Sequence, residues 1–191
     1  ALRTADAKTL RREFSVVLER TVAELNGISC MAMEDAVKNK QQIISSRSFG
    51  QPVYTLEQLG ESVASYIAIA SAKLRRQGSL AGGLQVQIMT NSFKVDDPQY
   101  SKGITIPLPE PSNDTLRLTK VALWALHKIY KPGFAYKKAG VALMNFSSES
   151  VVQMGLLSSR QDNTRLMTVM DHINATWGRG TLHSAAEGIN K

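Results

Sequence analysis

The amino-acid sequence predicts an α+β fold, in which two helices cover one face of a four-stranded antiparallel or mixed sheet. Apolar residues at every second position of residues 84–91 predict a strand with one buried face. Apolar residues spaced by three and four over residues 55–77 predict an amphipathic helix. Segments of these kinds follow one another between residues 42 and 145 in the order β-α-β-β-α-β, which is that of a ferredoxin-like domain.

Turn and capping residues set the boundaries of the predicted elements. Thr55 and Gln58 stand in capping-box positions at the start of the first helix, and Pro132 with Gly133 ends the second. The polar residues that alternate along the strands predict a hydrophilic open face on the side away from the helices. The predicted elements are a strand at 42–50, a helix at 55–77, strands at 84–91 and 102–108, a helix at 115–130 and a strand at 135–145.

Further segments flank this domain. Residues 8–25 are predicted to form one amphipathic helix that stops at Gly27, and residues 29–40 are predicted to be a linker. Residues 147–163, rich in serine and other polar residues, are predicted to be a second linker, and residues 164–176 a short helix. The apolar stripe of the first helix comprises Leu10, Phe14, Val17, Leu18, Val22 and Leu25.

Composition limits the class of protein. The chain has 191 residues, 43% of them hydrophobic, so it can bury a core and is not expected to be disordered. No apolar run approaches the ~20 residues that cross a bilayer, and residues 1–18 do not resemble a signal peptide. The single cysteine, Cys30, excludes an internal disulfide and suits a reducing compartment. We therefore expect a cytoplasmic protein that does not span a membrane.

Positive charge is concentrated in the centre of the chain. The net charge is +7, from 23 Lys and Arg against 16 Asp and Glu. Residues 37–138 contain 14 of these basic residues and 6 of the acidic ones, whereas the rest of the chain contains 9 and 10. Such a segment favours a polyanion, either nucleic acid or an anionic membrane. The alternative is a basic domain whose charge only keeps it soluble.

Small hydroxyl residues and an arginine follow one another in the first predicted strand, at Ser45, Ser46, Arg47 and Ser48. Hydroxyl and main-chain N–H groups donate to phosphate oxygens, and the arginine adds charge. The sequence therefore predicts a strand that contacts phosphates. An ordinary edge strand with a solvated polar face is the alternative.

The last predicted strand begins with Tyr136, Lys137 and Lys138. Adjacent residues of a strand point to opposite faces, so only one of the two lysines faces the open side of the sheet. Because Ala139 and Val141 belong to the apolar face, we expect Lys138 and Tyr136 on the open face and Lys137 at the rim. Lysines that serve only solubility are the alternative.

A short apolar run interrupts the polar linker that follows the domain, at Gln153, Met154, Gly155, Leu156 and Leu157. Exposed apolar residues in such a segment are typical of a peptide that docks in a partner's groove. From the residues alone, packing against the chain's own domain is the favoured alternative.

Residues for catalysis are not found in this sequence. Nucleotidyl transfer requires clustered carboxylates that hold two metal ions, and Asp96 with Asp97 lies before Pro98 in a turn-like stretch without a third acid. The three histidines and Cys30 lack the spacing of a zinc site, and no phosphate-binding glycine loop occurs. We therefore expect no catalytic residue, no metal site and no catalysis by this chain alone.

Five stretches of the sequence, in order, resemble landmarks of the UmuC group of Y-family translesion DNA polymerases, including the MucB- and RumB-like variants of mobile elements. They are FSVVLERTV (14–22), SRSFG (46–50), YKKAGV (136–141), LMTVMD (166–171) and GRGT (178–181). The resemblance implies a little-finger domain preceded by the end of the thumb. The palm, which holds Mg²⁺ in this family, would precede this segment, so no cofactor is expected here. The implied division is 1–28 end of thumb, 29–40 linker, 41–146 little finger, 147–163 linker and 164–191 C-terminal region.

The resemblance also implies partners and contacts. The little finger would grip the backbone of primer-template DNA through Ser45, Ser46, Arg47, Ser48, Lys102, Tyr136 and Lys138. The run from Gln153 to Leu157 resembles the motif that binds the processivity (beta) clamp, with Met154 where leucine is commoner and Leu157 where phenylalanine is common. The processed UmuD dimer and the RecA filament are the other implied partners, and the implied location is the cytoplasm, at the nucleoid.

Two other functions compete with DNA gripping. The chain would be mainly a protein-interaction module if its tail bound the clamp, RecA or processed UmuD while the sheet contributed little. An RNA-binding domain of the same topology is a weaker alternative, because the predicted strands lack the paired aromatic residues that stack bases in such domains.

Overall fold

Five α-helices and four strands are formed by the residues that the structure, a computed structural model, describes, namely 2–30, 40–149 and 163–188. In chain order they are α1 (Ala7–Glu13), α2 (Val16–Leu25), β1 (Ile43–Val53), α3 (Leu56–Arg76), β2 (Ser79–Thr90), β3 (Ser101–Ser112), α4 (Thr115–Ile129), β4 (Tyr136–Ser148) and α5 (Thr164–Thr176). Short 3-10 turns lie at Leu2–Thr4 and Ala185–Glu187. The chain divides into two compact units, Ala1–Asn39 and Lys40–Lys191.

The sheet of the second unit places the last strand between the first two. Its strand order is β1-β4-β2-β3, and all three neighbouring pairs are antiparallel. It follows that β1 and β2 run parallel with β4 between them, and that β3 and β4 run parallel with β2 between them. The domain therefore consists of two interleaved split βαβ units. The predicted α+β class is confirmed, and the sheet is antiparallel rather than mixed.

Both long helices cover the same face of the sheet. Helix α3 contacts β1, β2 and β4, whereas α4 contacts β2 and β3. Their buried apolar side chains meet every second residue of the strands, so the core has the period of two expected of a half-buried sheet. The core includes Leu59, Val63, Ile67 and Leu74 of α3, Leu118 and Leu126 of α4, and Ile43, Val86, Ile88, Ala139, Val141 and Leu143 of the strands.

The predicted single helix over residues 8–25 is wrong, because the chain forms two helices there. Helix α1 ends at Glu13, and the next residue, Phe14, leaves the helical conformation with φ −123° and ψ −82°. The side-chain hydroxyl of Ser15 then accepts a hydrogen bond from the Leu18 N–H at 3.3 Å and begins α2. A serine cap outweighs the apolar periodicity that continues across it. Phe14, placed in the predicted apolar stripe, is 69% exposed.

The C-terminal helix packs against the helix layer of the second unit. Met167 of α5 is fully buried, and its sulfur accepts a hydrogen bond from the Thr115 N–H at the start of α4. The Asn163 amide donates to a carboxylate oxygen of Asp114 at 2.8 Å. The predicted helix over residues 164–176 is confirmed at these bounds, and it belongs to the same compact unit as the sheet.

Candidate nucleic-acid interface

The side of the sheet away from α3 and α4 is built from three rows of directly opposed residues. Opposed residues point to the same face of an antiparallel sheet, so each row crosses all four strands on the side away from the core. We call these twelve residues the open face. The rows are Ser48–Lys138–Met89–Ser101, Ser46–Gly140–Gln87–Gly103 and Ile44–Ala142–Gln85–Thr105.

Two glycines, Gly140 and Gly103, lie in the middle row of the open face. A Cβ atom at Gly140 would lie 2.5 Å from the Ser46 Cβ and 3.3 Å from the Gln87 side-chain nitrogen, so a larger residue would force β1 and β4 apart. A Cβ atom at Gly103 would lie 3.5 Å from the Gln87 Cβ. Gly140 and Gly103 lie on either side of Gln87, which is therefore the one long side chain of the middle row and can reach a phosphate backbone that approaches the strands.

Hydroxyl and amide groups supply most of the polarity of the open face. Six of its twelve residues carry them, at Ser46, Ser48, Gln85, Gln87, Ser101 and Thr105. The face is therefore largely hydrophilic, as predicted, although Ile44 is 57% exposed on it. Lys138 is the single charged residue of the twelve. The face can thus offer hydrogen bonds to phosphate oxygens over its whole area but a charge at one point only.

The two adjacent lysines of β4, Lys137 and Lys138, make different contacts. Lys138 is opposed to Ser48 and Met89 and lies on the open face, as predicted. The ammonium group of Lys137 donates hydrogen bonds to the main-chain carbonyls of Phe49 and Gly50, where the pairing of β1 with β4 becomes irregular. Lys137 therefore holds the end of β1, and Lys138 is the lysine available to a ligand.

The prediction that Tyr136 faces the open side is wrong. Opposite β2, Lys138 pairs with Met89 and Tyr136 with the next residue, Thr90, so that β4 holds one extra residue at Lys137. Such a bulge reverses the face of every residue beyond it. The Tyr136 side chain is fully buried in the core, and its hydroxyl donates to the Lys131 carbonyl at 2.8 Å. It has no exposed surface with which to contact DNA.

The hydroxyl-rich stretch of β1 is divided between the two faces. Ser46 and Ser48 lie on the open face, whereas Ser45 is opposed to the core residue Val141 and Arg47 to the core residue Ala139. Arg47 is nonetheless exposed, because β1 is an edge strand.

The electrostatic surroundings of Tyr66 agree with this placement of Arg47. Burial raises the pKa of the Tyr66 hydroxyl on α3, and the nearby Arg47 guanidinium opposes that rise. Lys102 is opposed to the core residue Ile88 and is exposed at the other edge of the sheet. Arg47 and Lys102 thus belong to the rim on the helix side rather than to the open face.

Sequence reasoning did not select the residues at the centre of the face. Gln85, Gln87 and Thr105 occupy it, and the alternation of residues 84–88 was the signal that could have found the two glutamines. Gly140 was a part of a landmark motif, but its close approach to Ser46 depends on the pairing of β1 with β4, which sequence spacing does not reveal.

Several basic residues of the central segment, residues 37–138, form ion pairs with carboxylates. Arg75 pairs with Asp171, Arg117 with Glu110 and Lys94 with Asp97. The excess of positive charge counted along the sequence is therefore not spread over the open face. It lies mainly around the edges and on the helix side of the domain.

Other predicted features fall outside this surface. The run from Gln153 to Leu157 lies outside the described residues. Within the described ranges, no group of three His, Cys, Asp or Glu side chains is placed to hold a metal ion. No helix among those described is both long and apolar enough to span a bilayer.

Two family models match this chain, one over the sheet domain and one over the C-terminal segment. Residues 40–156 match the C-terminal domain of the impB/mucB/samB family, and residues 164–191 match a domain of unknown function, DUF4113. The chain is 37% identical to Protein UmuC of Salmonella typhimurium over 95% of its own length and 44% of that protein. It is 36% identical to Protein ImpB of Salmonella typhimurium and 38% identical to Protein MucB of Escherichia coli, over 98% and 99% of this chain and 45% of each relative.

The family model covers more than half of the chain, including every strand of the sheet. The chain spans less than half the length of the relatives that it matches. This chain therefore belongs to the impB/mucB/samB family and corresponds to the C-terminal part of UmuC-like proteins.

Proposed function

We propose that this chain is the DNA-gripping and partner-targeting C-terminal part of an error-prone translesion DNA polymerase, which acts in SOS mutagenesis and DNA damage tolerance. The observation that carries the proposal is the open face, a surface rich in hydroxyl and amide groups with Lys138 in one of its outer rows, in a domain that matches the family model. Nucleotidyl transfer itself is not assigned to any residue of this chain. The proposed location is the cytoplasm, at the nucleoid.

The size of the open face limits how much DNA it can hold. Four strands at about 4.8 Å spacing are about 14 Å wide, and three rows two residues apart extend about 14 Å along the strands. At 3.4 Å per base step, that area covers about four base pairs of primer-template duplex. Hydroxyl and amide donors suit phosphate and sugar contacts that do not depend on sequence, as a moving polymerase requires.

The cations near the face predict the salt dependence of binding. Lys138 lies on the face, and Arg47 and Lys102 stand at its two edges. Each phosphate neutralised contributes about −0.9 to the slope of log affinity against log salt concentration. The slope is therefore expected between about −0.9, for Lys138 alone, and about −2.7 for all three cations.

Fluorescence anisotropy of a labelled primer-template duplex, titrated with the whole chain over a range of salt, tests this proposal. Lys138→Ala is expected to weaken binding at every salt concentration and to make the slope shallower by about 0.9. Lys120→Ala is the matched control, because it removes the same charge from the exposed side of α4, away from the open face. Equal effects of the two substitutions, or no binding at low salt, would contradict the proposal.

Partner binding forms a second part of the proposal. We infer that the processivity clamp is bound by the run Gln153, Met154, Gly155, Leu156 and Leu157. We further infer that the chain binds processed UmuD and the RecA filament. A chain cut after Phe146 is a poor test, because it would also remove α5 and leave the largely buried Arg75 without Asp171. Gln153→Ala combined with Leu156→Ala in the whole chain should abolish clamp binding, measured by surface plasmon resonance, and leave DNA binding unchanged.

The alternative function, mainly a protein-interaction module, has one structural observation in its favour. The C-terminal helix α5 is fastened to the sheet domain by the ion pair of Arg75 with Asp171 and by the buried Met167, so this helix belongs to the same compact unit as the sheet. If Lys138→Ala left DNA binding unchanged while the Gln153 and Leu156 substitutions abolished clamp binding, this alternative would replace DNA gripping.

A further inference from the structure

A second surface lies on the helix side of the domain, away from the open face. A groove of about 500 Å³ separates the second half of α3 from α5 and the segment that follows it. That C-terminal segment matches a family model without an assigned function. We call this cavity the tail groove. Its volume lies in the range of about 300–1,000 Å³ that is common for ligand sites.

The far wall of the tail groove is held in shape by side chains of the tail itself. The Asn174 amide exchanges two hydrogen bonds with the main chain of Leu182, at 2.8 and 3.0 Å. Ser184 and Glu187 form a capping box, and the Thr181 hydroxyl donates to the Gly178 carbonyl at 2.8 Å. A wall ordered in this way does not have to be organised when a ligand binds.

The floor of the tail groove is apolar. Ala68, Ile69 and Ala72 line it from α3, Met170 from α5, and Leu182 from the tail. Methionine adapts its shape to different partners. A floor of aliphatic residues and methionine accepts apolar side chains better than charged ones. The floor therefore favours a ligand with an apolar face.

The rim of the tail groove is cationic. Lys73, Arg76 and Arg179 are all exposed there, and none of them pairs with a carboxylate within the part of the chain that the structure describes. Two carboxylates line the groove, and each has a partner within the chain. Asp171 forms an ion pair with Arg75, and Glu187 accepts a hydrogen bond from the Ser184 N–H. The rim thus offers three cations to an acidic ligand.

A neighbouring cavity extends this positive rim. Lys73 and Arg76 also line a smaller cavity of about 210 Å³, together with Lys40. Cations in the last turn of α3 would stabilise the helix dipole without any ligand. Lys40 and Arg179 lie outside that turn, so the dipole does not account for the whole cluster.

We propose that the tail groove binds an acidic, amphipathic peptide segment of a partner protein, with its apolar side chains on the floor and its carboxylates at Lys73, Arg76 and Arg179. Residues 68 to 76 of α3 extend about 12 Å, which suits two turns of a docked helix. Among the described residues, the lining contains one imidazole, His183, and no Phe, Tyr or Trp, so single-stranded nucleic acid is a poorer fit, because such strands bind largely by stacking successive bases on several aromatic rings. The proposal stands on the groove alone and does not depend on DNA gripping.

A designed peptide tests the proposal on the whole chain. The probe is a fluorescein-labelled helical peptide of roughly 14 residues, or about four turns, with leucines on one face and glutamates beside them. Two control peptides replace every glutamate by glutamine or every leucine by serine. Fluorescence anisotropy should show binding of the probe and clearly weaker binding of both controls. Methyl NMR signals of Ile69, Met170 and Leu182 should shift on titration.

Variants of the rim provide the matched comparison. Arg76→Ser combined with Arg179→Ser should weaken binding of the probe by about 2- to 30-fold, as expected for the loss of two exposed ion pairs. Lys120→Ser combined with Lys128→Ser removes the same charge from α4 and should change the affinity less than about twofold. Circular dichroism verifies that both double variants fold.

Several results would overturn the proposal. They are no binding of the probe, equal binding of the glutamine or serine peptide, and equal losses in the two double variants. Displacement of the probe by micromolar inorganic pyrophosphate would identify a phosphate compound as the occupant instead. A loss of primer-template binding in the rim variant alone, with peptide binding intact, would identify nucleic acid.

Discussion

Arg75 and Asp171, 96 residues apart in the chain, form an ion pair through two parallel hydrogen bonds. The guanidinium Nε lies 2.6 Å from Oδ2 and Nη2 lies 2.7 Å from Oδ1. The remaining nitrogen of Arg75, Nη1, donates to the Asn113 carbonyl at 2.7 Å and to the Thr115 hydroxyl at 2.9 Å. One arginine therefore joins α3, the start of α4 and α5.

Replacement of Asp171 should loosen the tail. In Asp171→Asn the Arg75 side chain, only 13% exposed, keeps its charge without a counter-ion. Loss of one partner from a buried pair costs about 3–5 kcal/mol, and because Asp171 is 37% exposed we expect about 1–3 kcal/mol. Hydrogen exchange of the α5 amides should accelerate by a larger factor than exchange in the sheet.

The exposed pair of Lys94 and Asp97 provides the control for this experiment. Their side chains are 62% and 47% exposed, and the charged groups lie 3.7 Å apart. Asp97→Asn should change the free energy of unfolding by less than about 0.5 kcal/mol in urea titrations. Equal effects of the two substitutions would show that Arg75 and Asp171 do not fasten the tail.

Gly140 is expected to be intolerant of any side chain while Ser46 is present. The Cβ atom of Gly140→Ala would lie 2.5 Å from the Ser46 Cβ, so the substitution should destabilise the protein by about 1–3 kcal/mol. Ser46→Gly removes the opposing atom and should recover much of that loss in the double variant. A double-mutant cycle of urea denaturation measures the coupling, and strictly additive effects would contradict the close approach.

Tyr136→Phe should affect stability and leave DNA affinity unchanged, because the hydroxyl group is buried and bonded to Lys131. Its loss should cost about 0.5–1.5 kcal/mol at neutral pH. Burial raises the pKa of Tyr136, with the hydrogen bond from the Lys131 N–H acting in the opposite direction. The folded state therefore favours the neutral phenol, whose contribution is complete below the unfolded pKa of about 10 and is lost as the pH rises above it.

The alkaline loss of stability should accordingly be shallower in Tyr136→Phe than in the unsubstituted chain. Urea denaturation between pH 8 and pH 11 measures it, while the other tyrosines remain as a common background. If the free energy of unfolding of Tyr136→Phe fell just as steeply with pH, Tyr136 would not contribute to the alkaline loss of stability. Weaker DNA binding by the variant would contradict the burial of the Tyr136 side chain.

Periodicity and capping residues predicted the sheet domain because those signals are local. The strand at residues 84–91 and the helix at residues 55–77 were found from spacing alone, since each buries one regular face. The face of Tyr136 could not be predicted, because the extra residue at Lys137 is a property of how β4 pairs with β2. The break at Ser15 was missed because the apolar stripe continues across it.

The candidate site was predictable only in part, for a similar reason. Strand alternation predicted the position of Lys138, and Ser46 and Ser48 were selected for their hydroxyl groups; the structure places all three on the open face. The charge count placed the cations near the middle of the chain but could not show that Asp171 would engage Arg75. Ion pairs between residues that are distant in the sequence decide which charged groups remain free to bind a ligand. The spacing of residues along the sequence does not reveal such pairs.

Arg47, Lys102 and Lys138 should differ in their effect on DNA binding, although each carries one positive charge. Lys138 lies within the open face, whereas Arg47 and Lys102 are opposed to core residues and emerge at the two edges on the helix side. If the duplex lies on the open face, Lys138→Ala should cause the largest loss of affinity and the largest decrease in salt slope. Arg47→Ala and Lys102→Ala should each weaken binding less, and to the same extent for every DNA sequence, because rim cations reach only the backbone.

Anisotropy titrations of the three single variants at two salt concentrations measure this ranking, since all three lower the net charge equally and differ only in position. The rise in ionic strength should reduce the effect of the two rim substitutions, because their charges are exposed and screened over about 8–10 Å. A ranking with Arg47 or Lys102 first would place the duplex at that edge of the sheet. Three equal losses would show that the overall positive field, and not contact with the open face, governs binding.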